Sequence, residues 1–152
     1  MVANFSVDIK FNDSYYKKLG LDKKAGYEDA LDVAVDHAIH DAENICRREA
    51  PINTGNLRRS IHRNRPGKCQ RELRARGAPY WVYVQYGSAP HIIRPKHAKL
   101  LAWKDKDGKH FAKEVHHPGN AANPFVTRTA RKVKPKLTEY VLEELKRAGI
   151  LD

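Results

Sequence analysis

The chain has 152 residues, 41% apolar and 31% charged, with a net charge of +11. That length suits one domain able to bury a core, and no apolar run reaches the roughly 18 residues of a membrane-spanning helix. Met1–Lys10 lacks the apolar centre of a secretory signal, and two cysteines, Cys46 and Cys69, are too few for a disulfide framework and read as free thiols in a reducing cytosol.

Phe5, Val7, Ile9 and Phe11 alternate with polar residues, the pattern of a half-buried strand. With the polar stretch Asn12–Gly26 they make residues 1–26 an N-terminal strand and linker. Residues 27–50 are the first helix: Leu31, Ala34, Val35, Ala38, Ile39, Ala42, Ile45 and Cys46 recur at three- and four-residue steps. Glu28, Asp29 and Asp32 near its start and Arg47 and Arg48 at its end suit the helix dipole.

A distinctive junction follows, Ala50-Pro51-Ile52-Asn53-Thr54-Gly55-Asn56-Leu57-Arg58-Arg59-Ser60-Ile61. Pro51 stops the helix, because it has no N–H and its ring clashes with the preceding turn. Thr54 offers a hydroxyl to the local backbone, and Gly55 is free to take positive φ. Leu57 and Ile61 put two apolar anchors at i, i+4.

Residues 61–115 read as antiparallel strands. In Cys69–Arg76, Leu73 and Ala75 share one side. Tyr80-Trp81-Val82-Tyr83-Val84-Gln85-Tyr86 has the strongest strand composition, apolar on both faces, as suits a central strand or one packed on another subunit. Ser88–Lys96 is an extended loop with two prolines. Leu100–Trp103 and His110–Val115 flank a charged Asp-Gly turn, a hairpin at residues 104–109. Residues 123–148 form the second helix, with Asn123 as N-cap, Pro124 at the first helical position and Gly149 as the stop. Phe125, Thr129, Val133, Leu137, Val141 and Leu145 form its apolar row, and Pro135 should kink or divide it. The order predicts a single α+β domain: a curved antiparallel sheet of about four to five strands with two long helices packed on one side.

Charge is uneven. Residues 1–50 carry 7 basic and 10 acidic side chains, residues 51–100 carry 11 and 1, and residues 101–152 carry 11 and 7. The central block (Arg58, Arg59, Arg63, Arg65, Lys68, Arg71, Arg74, Arg76) is either a solvated face or one that meets DNA or another polyanion without reading sequence. Tyr80, Trp81 and Tyr83 beside it fit core or interface packing better than base stacking.

Catalytic chemistry finds little footing. The eight histidines carry no His-Glu-x-x-His or Cys-x-x-Cys spacing, there is no Gly-x-Ser-x-Gly elbow or phosphate loop, and Glu72 is the lone carboxylate of residues 51–104. Cys46 lies on the apolar side of a helix and reads as core. No enzyme, metal or cofactor is expected.

Three segments together resemble the neck and tail-completion proteins of long-tailed bacteriophages, the head–tail joining group called HK-ninety-seven gene-product-ten-like. They are the junction residues Pro51, Thr54, Gly55, Leu57, Ser60 and Ile61, then Tyr80–Ser88, then His117-Pro118-Gly119-x-x-Ala122-x-Pro124-Phe125 with Thr129-Ala130. Trp81 stands where the family usually has a small residue, and Gln85 where it usually has an acid. The resemblance implies a structural virion protein, present in the host cytoplasm before assembly. It implies a homo-oligomeric, sixfold-related ring at the head–tail junction or upper tail, beside phage connector or tail-tube proteins, with DNA crossing its channel. Tyr83, Tyr86, Ile92, Ile93, Arg94, Trp103, Lys106 and Asp107, on excursions from the sheet, are the candidate subunit interface.

Overall fold

The structure, a computed structural model, describes residues 13–152. The Phe5–Phe11 strand expected from alternation lies outside the described residues. The chain forms two compact units, residues 13–82 with Pro124–Asp152, and Tyr83–Asn123.

In the first unit a short helix α1 (Ser14–Lys18) and a 3₁₀ turn (Leu21–Lys23) lead into α2 (Tyr27–Glu49). α2 ends as its sequence requires: Ala50 is extended, as a residue before proline must be, and Pro51 follows. α3 (Asn56–Ser60) precedes the antiparallel strands β1 (Ile61–Gly67) and β2 (Gln70–Ala75). After the second unit the chain returns as α5 (Phe125–Arg147). α2 packs along α5 and also against β1 and β2. Its buried row Ala34, Val35, Ala38, Ile39, Ala42 and Cys46 is nearly solvent-free, as are Phe125, Thr129, Val141 and Leu145 of α5 and Ile61 and Leu73 of the ladder. At one end Tyr16, Leu21, Tyr27, Leu31, Val141, Leu145 and Ile150 join in a single cluster.

α5 begins at Phe125, one residue later than the capping pattern suggested, and runs unbroken through Pro135. The division expected there does not occur: Pro135 and Arg131, whose carbonyl loses its partner, lie on the exposed side, where water can satisfy it. The buried residues Val133 and Val141 hold the opposite face. Interior proline costs a helix about 3 kcal/mol in isolated hosts. Pro135→Ala is therefore expected to raise stability by about 1–3 kcal/mol in urea unfolding, less what it adds to unfolded-chain entropy. Gly149, at φ +66°, closes the helix, with the Ile150 amide donating to the Leu145 carbonyl at 2.9 Å.

The second unit starts within α4 (Trp81–Tyr86) and contains β3 (His91–Ile93), β4 (Leu101–Asp105), β5 (Gly108–Ala112) and β6 (Val115–His117). The expected hairpin is present, with β4 and β5 paired from Leu101↔Ala112 to Asp105↔Gly108. β3 pairs with β6.

Two expectations are corrected. The described strands form three two-stranded antiparallel ladders in place of one sheet of four to five strands. Of residues 80–86, read as the strongest strand, Trp81–Tyr86 are helical and Tyr80 lies in the turn before them. Their β-rich composition loses to local punctuation: the Trp81 amide closes a turn on the Ala78 carbonyl at 3.1 Å, and Gly87, at φ +76°, ends the helix. Trp81 and Gln85, four apart, are the buried pair, and Tyr83 and Tyr86 lie outside.

Candidate functional site

The basic block of β1 and β2 is answered by the acidic row of α2. Arg63 pairs with Glu43 (2.7 Å), Arg65 with Asp32 (2.7 Å), and Lys68 with Glu28 and Asp29 (3.2 and 2.9 Å). Arg74 pairs within its own strand with Glu72 (2.6 Å). Arg71 points inward beside Leu73 and Ala75, its side chain only 2% exposed, and bonds Asp32 (3.0 Å), Asp36 (2.5 Å) and the Gly67 and Gln70 carbonyls. Burial pushes the Asp32 carboxyl up. Bonds from the Cys69 amide and Arg71, with the charge of Arg65, outweigh it and hold the group below the usual carboxylate range. The Arg71 hydrogen bond likewise depresses Asp36. So five of the eight cations expected to face a polyanion are engaged with carboxylates of the same unit, and the uneven charge of the sequence is largely internal complementarity. Arg76, in contrast, is exposed.

The same helix answers α5. Glu49 binds Arg128 (2.6 Å) and Lys132, and hydrogen bonds from Lys132 and Arg128 pull its carboxyl down to about 2. Asp41 accepts from Lys136 (2.6 Å) and from the Tyr140 hydroxyl (2.8 Å). Burial pushes the Cys46 thiol up to about 11, consistent with a core residue and unsuited to a nucleophile.

The junction folds as its residues require. Gly55 takes φ +77°, the Thr54 hydroxyl accepts from the Asn56 amide at 3.4 Å, and Leu57 and Ile61 are buried. The Ser60 hydroxyl donates to the Leu57 carbonyl at 2.7 Å. Arg58 and Arg59 turn back onto backbone oxygens. Arg58 donates to the Ala50 and Arg48 carbonyls (3.0 and 3.2 Å), and Arg59 to the Thr54 carbonyl (3.3 Å) and the Asn56 side chain.

The second unit has a different character. Its 41 residues include no buried hydrophobic side chain. Tyr83, Tyr86, Ile92, Ile93, Leu100, Trp103 and Phe111 are all exposed, Tyr86 at 71% and Phe111 at 65%. Among the candidate interface residues, Arg94 binds Glu114 (2.9 Å) and Trp103 stacks on His110 at 5.3 Å. Lys106 and Asp107 form the hairpin turn, where Asp105 accepts from the Asp107 amide at 2.8 Å. Lys104 and Lys109 stand directly opposite each other, an unfavourable pairing in an isolated ladder.

Backbone bonds hold this unit together. Ser88 and Asn120 exchange two amide–carbonyl bonds of 3.0 Å, and the Asn123 amide donates to Val84 at 2.8 Å. Gly87 and Gly119 flank that bridge. A Cβ on Gly119 would lie 2.2 Å from the Ser88 carbonyl oxygen, and one on Gly87 would lie 2.6 Å from that of Asn120. The Tyr80–Ser88 and His117–Phe125 segments, separate in sequence, are thus joined at their glycines. That meeting was not evident from the sequence.

Among the described residues, no group of three or more His, Cys, Asp or Glu comes together to hold a metal. No helix described is long and apolar enough to cross a membrane. No family model, curated protein or solved structure matches the chain.

Proposed function

We propose that this chain is a structural, non-catalytic virion subunit of a phage or prophage. It joins or completes the head–tail junction or upper tail by assembling into a ring around the DNA channel, against connector or tail-tube proteins. The observation that carries the reading is the second unit, which displays its large apolar side chains instead of burying them. Two-stranded ladders without an apolar core are marginal alone, so such a surface is suited to completion by a partner. Support also comes from the three resemblance segments, two of which meet at the Ser88–Asn120 bridge. In this reading, ladders of neighbouring subunits pair edge to edge and complete a sheet of four to five strands between copies.

Deleting residues 104–109 is expected to leave a folded chain by circular dichroism and to abolish tail joining in complementation of a phage lacking this gene. Normal joining by the deletion variant overturns the reading. The second reading, sequence-independent nucleic-acid binding, draws on cations that no carboxylate answers, at the junction.

A further inference from the structure

The cations of the first unit divide into two sets. Those on β1 and β2 are matched to carboxylates. Around the junction, Arg48, Arg58 and Arg59 meet no carboxylate among the described residues, and Arg47 shares one with Arg63. Arg47 and Arg48 from the last turn of α2 and Arg58 and Arg59 from α3 line an open cleft of about 550 Å³. Arg58 and Arg59 are held by neutral oxygens, which fix the guanidinium planes and leave their charge intact. Arg48 is exposed, and its guanidinium has no hydrogen-bond or ionic partner among the described residues. Arg47 donates to the Ile61 carbonyl (2.8 Å) and meets Glu43 (2.9 Å), a carboxylate shared with Arg63. The Arg47 Nε is buried and has no partner. Glu49, adjacent to Arg48 in sequence, is taken by Arg128 and Lys132. The α2 C-terminus contributes a partial negative charge of only about half a unit, and Arg58 already covers two of its carbonyls.

We propose that this four-arginine cleft binds the phosphodiester backbone of a nucleic acid. Guanidinium forks match phosphate oxygens bidentately, and planes fixed in advance lose less freedom on binding. Arg48, Arg58 and Arg59 together carry more positive charge than one phosphodiester answers, so successive phosphates of a strand are the fitting ligand. The inference rests on the second reading above, and places its nucleic-acid contact in this cleft in place of the β1–β2 block that the sequence suggested. It needs no ring, so loss of tail joining and loss of this contact are separable.

The test uses the full chain and a fluorescent duplex DNA of mixed sequence, titrated by anisotropy over a salt series. Each phosphate contact contributes about 0.9 to the slope of log affinity against log salt. Arg48→Gln and Arg59→Gln are each expected to weaken binding several-fold and lower that slope by about 1, whereas Arg65→Gln, at a carboxylate-paired site, leaves it unchanged. Arg48 holds nothing in the fold, so its variant should melt with the wild type and report on binding alone. Inorganic phosphate and a poly-glutamate peptide are run as competitors. Absent or salt-independent duplex binding, or slopes unmoved by Arg48→Gln and Arg59→Gln, overturn the proposal. Tighter retention of poly-glutamate than duplex, lost in the same variants, assigns the cleft to an acidic protein and also overturns it. Saturation by inorganic phosphate alone, with no duplex bound, does the same.

Discussion

Replacing Arg71 with alanine is expected to remove about 3–5 kcal/mol of stability, the range for breaking a buried charge pair from one side. Folded domains of this size have about 5–15 kcal/mol in total, so the variant should be largely unfolded at modest urea. The cost arises from what is left behind. Asp32, with its side chain 13% exposed, would keep the Cys69 amide and the more exposed Arg65 as partners. Two β-strand carbonyls would lose a donor. Asp36 is half exposed and contributes little to the loss.

The pH dependence carries the same signature. Asp32 and Asp36 have folded pKa values below their unfolded ones, so their stabilisation is complete above the ordinary carboxylate range of about 4. It is lost as pH falls through the depressed folded values. Wild-type stability should therefore drop from about pH 4 downward, and Arg71→Ala should flatten that drop because it releases the depression. Urea unfolding at pH 7 and pH 3 checks both parts. A change below about 1 kcal/mol at pH 7 would mean that Arg71 is incidental to the fold.

How much of this was legible in the sequence depends on the range of the interaction. Local chemistry was readable: the apolar row of α2, the Asp-Gly hairpin, and the positive φ of Gly55 and Gly149 all follow from neighbours within a few residues. The inward position of Arg71 was also readable in principle, because it shares the two-residue period of Leu73 and Ala75. Its charge placed it with the exterior set instead. The partners of that set were not readable, since Arg65 and Arg71 find carboxylates 33 and 39 residues upstream. Residues 80–86 misled because β-branched and aromatic side chains fit either a strand or a short helix, and the Trp81–Gln85 spacing decides only once burial is known. The arginine cleft escaped notice for a related reason. Arg47 and Arg48 read as ordinary helix-end charges until the Gly55 turn brought Arg58 and Arg59 back beside them.

Gly119→Ala is expected to melt the second unit while sparing the first. A side chain at φ +86° is strained by about 1–3 kcal/mol. The added Cβ also meets only backbone, the Ser88 oxygen at 2.2 Å and the Ala89 carbonyl carbon at 2.9 Å, so no rotamer change relieves it. Relief requires parting Ser88 from Asn120, which gives up two backbone bonds worth about 0.5–1.5 kcal/mol each. A unit with an apolar core could absorb such a loss. This one has no buried hydrophobic side chain to hold the β3–β6 ladder in place once the bridge opens. Amide exchange is the direct readout: protection at Ser88 and Asn120 should vanish in the variant, while α2 and α5 exchange as in the wild type. Gly87→Ala, blocked by the Asn120 oxygen and the Ala122 nitrogen, should give the same pattern. If the exposed apolar set of this unit is the assembly surface, both variants should remain soluble, folded in the first unit and unable to join tails. Tail joining at wild-type level with protection at Ser88 and Asn120 lost would show that assembly uses another surface.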